Sequence, residues 1–417
     1  MTGGPRLGVL YEPASVQAMH LVEASSGDWE TVWLVDRDIA DPGAMSRLLP
    51  RLGEVVDITG LDAKAAGAAA RRPLDGVIAF DDKFLRRAAA IAAEHGLPSY
   101  APEVAARLTD KELQRAAFRQ AGIPTPGSVR MPGAADRATW QDRVAGMSGP
   151  LVVKPAAGSN GSRDVFAVAG PDEAVELMVR RAAAGDVADM VAEERIPDGW
   201  APGTRPYGDF VTVEVFASGG RLSTFGVTGC MPYADGFALT GNFMPNALDP
   251  MERAAAISLA EQAITALGGG TGVYHTEIKL SADGPRVMEV NGRLGGGGVP
   301  RIAEAACGRS LLRDAALVAL GHHVDLSGAR FDKVAYFHRV QPPLSASTVE
   351  SVAGLDEVRQ LRGVLEVDLN HGPGASLGPA TAGTQRFVYS VHGVVDNHDE
   401  LWSAIDRIVT GVEVTYA

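Results

Sequence analysis

One stretch limits what this chain can fold into more than any other: TGVYHTEIKLSADGPRVMEVNGRLGGGGVPR, residues 271–301. Read with period two, GVYHTEIKLS is one strand and PRVMEVNGR a second, joined by Ala282-Asp283-Gly284. A short Gly-containing loop between two alternating runs predicts a β-hairpin. Glu277 and Glu289 are equidistant from Asp283, so a symmetric hairpin sets them opposite each other and sets His275 opposite Asn291. Cross-strand partners have Cβ atoms about 4.5–5.5 Å apart, and like charges there destabilise the pair. Two facing carboxylates with an Asn two residues on therefore call for a cation. So small a set of oxygen donors suits Mg²⁺, with Mn²⁺ as a substitute, that completes its shell with phosphate oxygens. Arg293 follows on the face of Glu289 and Asn291, placed to neutralise a phosphate. The bland alternative is a surface hairpin whose acids are solvated; the apolar neighbours and the glycine run that follows at once count against it. That run, Gly295 to Gly298, lets backbone N–H groups approach a ligand closely.

Composition narrows the partners. At 417 residues the chain is long enough for several subdomains around large cores. Hydrophobic residues make up 46% and charged residues 21%, which excludes a disordered chain. A formal net charge of −13 argues against nucleic acid or an anionic membrane as the main partner, because both need a basic face. A nucleotide remains compatible, since a local pocket of Lys, Arg and Mg²⁺ outweighs a diffuse acidic surface. With only Cys230 and Cys307 there is no disulfide framework and no zinc set. Neither an N-terminal apolar run nor a membrane-length apolar span occurs. The expectation is a cytoplasmic protein acting on small molecules, with a homodimer left open.

Toward the N-terminus RLGVL (6–10), ETVWLVD, GEVVDIT and DGVIAF read as strands separated by Ala-rich helical stretches, which predicts a parallel, Rossmann-like sheet. No Gly-x-Gly-x-x-Gly follows the first strand, so a dinucleotide fingerprint is missing. DDKFLRRAAAIAAEHGLP is a helix closed by Gly96 and Pro98. In TDKELQRAAFRQAGIPTP, Thr109 is the expected N-cap, Glu112 completes a capping box, and Gly122, Pro124 and Pro126 end the helix. Lys111 in its first turn opposes the helix dipole, and a solvated lysine is one reading of it. PLVVKPAAGSNGSRDVFAV is strand, loop and returning strand. Lys154 closes the first strand, and Gly158, Ser159, Asn160, Gly161 and Ser162 form a small-residue loop able to fold over phosphates. It is not a Walker A loop, because no Gly-Lys-Ser/Thr occurs. PDEAVELMVRRAAA is a helix, and MVAEERI a strand ending in two acids. The segment from Cys230 to Asn246 is rich in Gly, Pro and aromatics and poor in charge; it either lines a substrate pocket or is a packed connector. From about Phe331 the pattern changes to short strands with one helix, DELWSAIDRIV.

HTEIKL followed by MEVNGR resembles the metal-binding hairpin of the ATP-grasp superfamily, carboxylate–amine ligases that pass through an acyl phosphate. The pattern is most similar to the L-amino-acid (dipeptide) ligases, where a His-x-Glu strand precedes a Glu-x-Asn-x-Arg strand. The resemblance implies an α/β protein with the ATP-grasp fold in a biotin carboxylase-like architecture. Its parts would be an α/β N-terminal domain (1–105), a core (106–325) with a flap subdomain at about 128–192, and an α+β C-terminal domain (326–417). ATP is the implied nucleotide, with Lys111 and Lys154 on its phosphates and the Gly158–Ser162 loop as a flap. Glu193, Glu194 and Ile196 would form the hinge whose backbone reads adenine. Asp209 would replace the usual ribose-binding Glu, although the insertion PDGWAPGTRPYG interrupts the family pattern there. Glu277, Glu289 and Asn291 would hold Mg²⁺, and Arg293 the transferring group or the acyl phosphate. His275 would orient the hairpin or accept the amine's proton. Gly296, Gly297 and Arg301 would face the substrates, Arg301 meeting a carboxylate unless it caps or pairs with Glu304; Glu214 would be structural.

The implied reaction is ATP-dependent ligation of a carboxylate, an amino acid in the similar branch, to an amine, with release of ADP and phosphate. Two alternatives stand beside it: a biotin- or purine-pathway-type carboxylase of the same fold, and a catalytically silent ATP-binding regulatory protein. Two decoys are set aside. Gly374-Ala375-Ser376-Leu377-Gly378 has a nucleophile-elbow spacing without the strand entry or following helix. His322-His323-x-Asp325 lacks helical metal-ligand spacing.

Overall fold

A computed structural model describes residues 4–12, 17–158, 161–200, 204–296 and 298–417. Of the residues singled out above, Ser159, Asn160 and Gly297 lie outside this set. Near the N-terminus the strands Arg6–Leu10, Glu30–Val35, Glu54–Asp57 and Gly76–Ala79 form a parallel four-stranded sheet, as the alternation of strands and helices predicts. Arg6–Leu10 is buried throughout, which a parallel strand covered on both faces requires. Helix Asp82–His95 starts at the N-cap Asp81 and stops at Gly96, whose left-handed φ of 64° closes the last turn. The N-terminal core also takes in Val299, Ile302, Leu311 and Ala315 from the helices Val299–Cys307 and Leu311–Ala319, so these helices tie the first domain to the rest.

The centre of the molecule is an eight-stranded sheet. Its strands run in the order Gly284–Asn291, Gly272–Ser281, Phe210–Ser218, Arg221–Cys230, Gly241–Met244, Val334–Val340, Tyr389–Val395 and Val364–Leu369. The boundary expected at 325/326 therefore does not separate two sheets: strands on both sides of it share one, because Val334–Val340 pairs with Gly241–Met244. Behind the sheet the helix Pro250–Ala266 packs Leu259, Ala260, Ala263 and Ile264 against Val211, Val213, Val215, Tyr274, Ile278, Val287 and Val290. Above the opposite face sits a small antiparallel sheet of Ser128–Met131, Met190–Glu194, Leu151–Pro155 and Phe166–Val168 with two helices; it occupies the span of the flap in the resemblance and is called the flap below. Among the described residues no helix is long and apolar enough to cross a membrane.

Two local expectations need correction. Thr109 does not cap helix Lys111–Ala121; it ends the preceding helix Pro102–Leu108, and its hydroxyl donates to the Ala105 carbonyl at 2.9 Å. The cap is Asp110, which accepts from the Glu112 and Leu113 amides at 3.0 and 3.1 Å. Glu112 turns away to Arg130 at 2.7 Å. With one helix ending where the next begins, the carboxylate takes the cap and the threonine serves the other end. The hairpin loop is also shorter than expected: Ser281 pairs with Gly284 across Ala282 and Asp283. That register alone would place Met288 opposite Glu277. A bulge at Met288 restores the opposition, so Glu277 faces Glu289 and His275 faces Asn291 as predicted, by a different route.

Asp110→Ala removes the cap and one partner of Arg130, which also binds Asp189 at 2.9 Å in the flap. We expect urea denaturation to show a loss of about 1–2 kcal/mol in stability, the cost of an N-cap carboxylate.

Candidate active site

The cleft between the flap and the eight-stranded sheet has a volume of about 1200 Å³. Its floor is one face of that sheet. Because paired residues share a face, the strand registers lay out two rows of side chains: Glu214, His275 and Asn291 in one, Thr212, Glu277 and Glu289 in the next. The row of Glu214 is the better buried. Glu214 is fully enclosed; it pairs with His275 Nδ1 and accepts the Gly295 amide at 3.1 Å. A methyl group on Gly295 would lie 2.7 Å from His275 Nδ1 and 2.8 Å from Glu214 Oε1, so only glycine fits this approach. The sequence marks Glu214 only as an acid in an otherwise apolar strand, and the structure makes it the anchor of both His275 and the glycine run. His275 Nε2 points to Glu277 Oε1 at 3.8 Å. Burial would lower the His275 pKa, but the Glu214 carboxylate overrides it and the net shift is upward.

The facing acids are made unequal by their surroundings. Burial and the neighbouring Glu289 push Glu277 above the usual carboxylate range. Burial acts on Glu289 in the same direction, but Lys111 and Lys154 outweigh it and lower its pKa. Lys111 Nζ sits 3.0 Å from Glu289 Oε1, held there by its helix, whose first amide donates to the Ala156 carbonyl at 3.0 Å. Lys154 meets Glu193 on the neighbouring flap strand at 2.8 Å, and the fully buried Arg115 meets the same carboxylate at 2.9 Å. Burial opposes ionisation of Glu193, yet these two cations hold its pKa down at about 2. Arg115 also donates to the Met288 carbonyl at the bulge, so one side chain connects the core helix, the flap and the hairpin.

Other candidates occupy the same cleft with partners that their spacing did not reveal. Arg293 lies just past the strand, not on it, and pairs with Asp82 of the N-terminal domain at 2.9 Å. Asp209 is engaged by Lys279 at 2.6 Å and by the Gly199 amide at 2.9 Å, so a ribose contact would have to displace one of them. Arg301 pairs with Glu366 and approaches His392 at 3.3 Å; it does not use Glu304. Glu194 and Ile196 line the cleft at the end of the flap strand, whose ladder stops when the Arg195 amide donates to the Pro150 carbonyl at 3.0 Å. Gly161, Ser162 and Gly296 also line it, whereas Gly158, with φ of 69°, forms the turn that starts the flap loop. That loop is tied to the C-terminal domain: the Thr384 amide donates to the Gly161 carbonyl and the Asp164 amide to the Thr381 carbonyl, both at 2.8 Å. The segment from Cys230 to Asn246 divides. Tyr233, Phe237 and Asn242 face the cleft, while Phe243 and Met244 are packed in cores.

Among the described residues no three His, Cys, Asp or Glu side chains converge as a metal cage. The hairpin instead offers two opposed carboxylates and an amide oxygen, a donor set that fits a hard divalent cation drawing the rest of its shell from phosphate.

No family model matches the chain. The uncharacterized protein y4rH of Sinorhizobium fredii is 26% identical over 348 residues, covering 81% of this chain and 69% of that protein. Carnosine synthase 1 of Gallus gallus is 33% identical over 122 residues, and this chain spans only 13% of its length. Among solved structures, an L-amino acid ligase from Bacillus licheniformis superposes with a TM-score of 0.77 at 21% identity and covers all of both chains. A carboxyaminoimidazole ribonucleotide synthase from Aspergillus clavatus, complexed with ATP, gives 0.72 at 16% identity and covers 98% of each. The chain has the ATP-grasp fold, which it shares with this amino acid ligase and this synthase. The likeness to the amino acid ligase runs from end to end, C-terminal strands included.

Glu193 sets a pH limit on stability. Its folded-state pKa of about 2 lies below the ordinary value of 4.5, so its contribution is complete above about pH 4.5 and is lost as the pH falls toward about 2. Glu193→Gln leaves Arg115 and Lys154 without their anion, and we expect it to cost about 3–5 kcal/mol at neutral pH. Urea midpoints measured down the acid limb should fall for the wild type and flatten for the variant.

Proposed function

We propose that the protein is an ATP-dependent ligase that joins a carboxylate, an amino acid by preference, to an amine through an acyl phosphate, with release of ADP and phosphate. The observation that carries this reading is the opposition of Glu277 and Glu289 beside Asn291, with Lys111, Lys154 and Arg293 converging on the same cleft. Phosphoryl transfer to a carboxylate requires charge neutralisation and in-line positioning more than covalent help, and the cations that line the cleft support the first of these. Glu277, Glu289 and Asn291 would hold Mg²⁺, which when bound neutralises phosphate charge. Lys111 and Lys154 would bind the phosphates of ATP, helped by amides of the Gly158–Ser162 loop, and the backbone around Glu193 to Ile196 would face the adenine. A carboxylate oxygen attacks the γ-phosphorus and ADP leaves. The amine then attacks the acyl carbon, phosphate leaves, and the amine loses a proton. Arg293, held by Asp82, would steady the transferring group. His275, tied to Glu214 and drawn toward its protonated form, suits the positioning of Glu277 better than the acceptance of that proton.

The likeness to carboxyaminoimidazole ribonucleotide synthase keeps a carboxylase as the second reading. A cleft of about 1200 Å³ has room for a nucleotide and a second substrate in either reading, and the Tyr233 and Phe237 rings in its wall favour an acid with an apolar body over bicarbonate. Partners are then small-molecule acids and amines.

Two outcomes are expected. Glu289→Gln relieves the repulsion with Glu277 but leaves the buried Lys111 without its anion, so it should lower stability while the fold is retained. It should lower amino-acid-dependent ADP release by on the order of 10²–10³-fold, the scale of losing one electrostatic contact to a developing charge; wild-type turnover at saturating Mg²⁺ would refute the metal assignment. Tyr233 and Phe237 in the cleft wall also predict a substrate with an apolar side chain, preferred over glycine by about ten- to hundredfold. Phosphate release across a panel of amino-acid pairs, with mass spectrometry of the products, measures this.

A further inference from the structure

Every lysine and arginine lining the cleft has a carboxylate partner except Arg339, among the described residues. Arg339 is only 9% exposed, and its Nε finds no acceptor. Its guanidinium lies 4.6 Å from the ring centre of Phe337 and 5.6 Å from that of Phe387, so two aromatic faces fix its position. The strand registers place Asn242, Phe337, His392 and Ser390 around it on the same face. The Oδ1 atom of Asn242 is likewise without a donor. Asp368, opposite Ser390, lines the cleft as well, but it lies two strands from Arg339, about 10 Å away at ordinary strand spacing. A buried cation without an anion is costly unless a ligand supplies one.

The location joins this group to the reaction centre. A methyl group on Gly298 would lie 2.9 Å from His392 and 3.1 Å from the Phe337 ring, so the glycine run that follows the metal hairpin touches the wall that carries Arg339. Arg301, the other cation on this wall, is already paired with Glu366. We propose that Arg339 binds the free carboxylate of the amine-donating substrate, which is therefore an α-amino acid and not a simple amine. This deepens the ligase reading and rests on it: one carboxylate is activated near Glu277 and Glu289, while the other stays ionised on Arg339 and orients its amine toward the acyl carbon.

The test compares the full-length wild type with Arg339→Gln and Arg339→Lys. ADP release with ATP and Mg²⁺ is measured for the best pair of L-amino acids, then with the amine donor replaced by its carboxamide. The wild type should prefer the acid by about ten- to hundredfold in kcat/KM, the range for one charged hydrogen bond. Arg339→Gln should lose that preference, Arg339→Lys should keep part of it, and ATP affinity should not change. A purely structural arginine would not move acid-versus-amide selectivity, so an unchanged preference in Arg339→Gln overturns the assignment and leaves the ligase reading intact. A second arm needs no turnover: thermal stabilisation by L-leucine against L-leucinamide, with a non-hydrolysable ATP analogue and Mg²⁺. If no pair releases ADP but L-leucine stabilises the wild type and not Arg339→Gln, the anion site stands and the ligase reading falls. If neither arm depends on Arg339, the proposal is wrong.

Discussion

Two like charges held face to face organise this molecule. Opposed glutamates on neighbouring strands repel; His275 and Arg293 in the same stretch favour the charge on Glu277, but Glu289 depends on cations outside it. Relief comes from elsewhere in the chain. Lys111 arrives on the first turn of a helix, Lys154 on a strand of the flap, and Arg115 from underneath through Glu193. The acidic hairpin is thus a point on which two separate elements converge, the helix Lys111–Ala121, which carries both Lys111 and Arg115, and the flap strand Leu151–Pro155. The result is a graded pair, Glu289 the more readily ionised and Glu277 the less. Such a gradient would suit a cation site of the kind proposed: one carboxylate ionises readily, and the other is held back until a cation arrives.

Much of this was legible because it is local. The hairpin alternation, the parallel N-terminal strands and the glycine stops at 96 and 122 depend on residues close in sequence, and the structure contains all of them. The facing glutamates were reached through a loop one residue too long, and the bulge at Met288 made up the difference. The mark of that bulge is present in the sequence, since Val287 and Val290 both enter the core although a regular strand would send them to opposite faces. What was not legible is long-range pairing. Arg293 and Asp82 are 211 positions apart, and neither the alternation nor the charge pattern links them. The same holds for Arg301 with Glu366, and for the flap loop with Thr384. The cap at Asp110 was missed for another reason: Thr109 and Asp110 are both good caps, and only the abutting helix decides which end each serves.

The change of pattern at 325/326 does not coincide with a boundary between sheets. Short strands do begin there, but they extend an existing sheet. A strand seeks hydrogen-bonding partners wherever an edge is open, and Gly241–Met244 offers one. Which edge a new strand joins is decided by contacts distant in the chain, here between 241–244 and 334–340.

This continuity has a consequence for how such a protein changes over evolutionary time. The hairpin that would handle phosphate and the wall that carries Arg339 are opposite ends of a single plate, separated by strands whose back faces are locked to the helix Pro250–Ala266. A new substrate can be accommodated by altering outward-facing positions at the far end, such as 337, 339, 390 and 392, while the near end keeps its geometry. On the proposed function, phosphate handling and substrate choice would lie on the same surface without sharing side chains, so a lineage could exchange what it joins while it kept its nucleotide site.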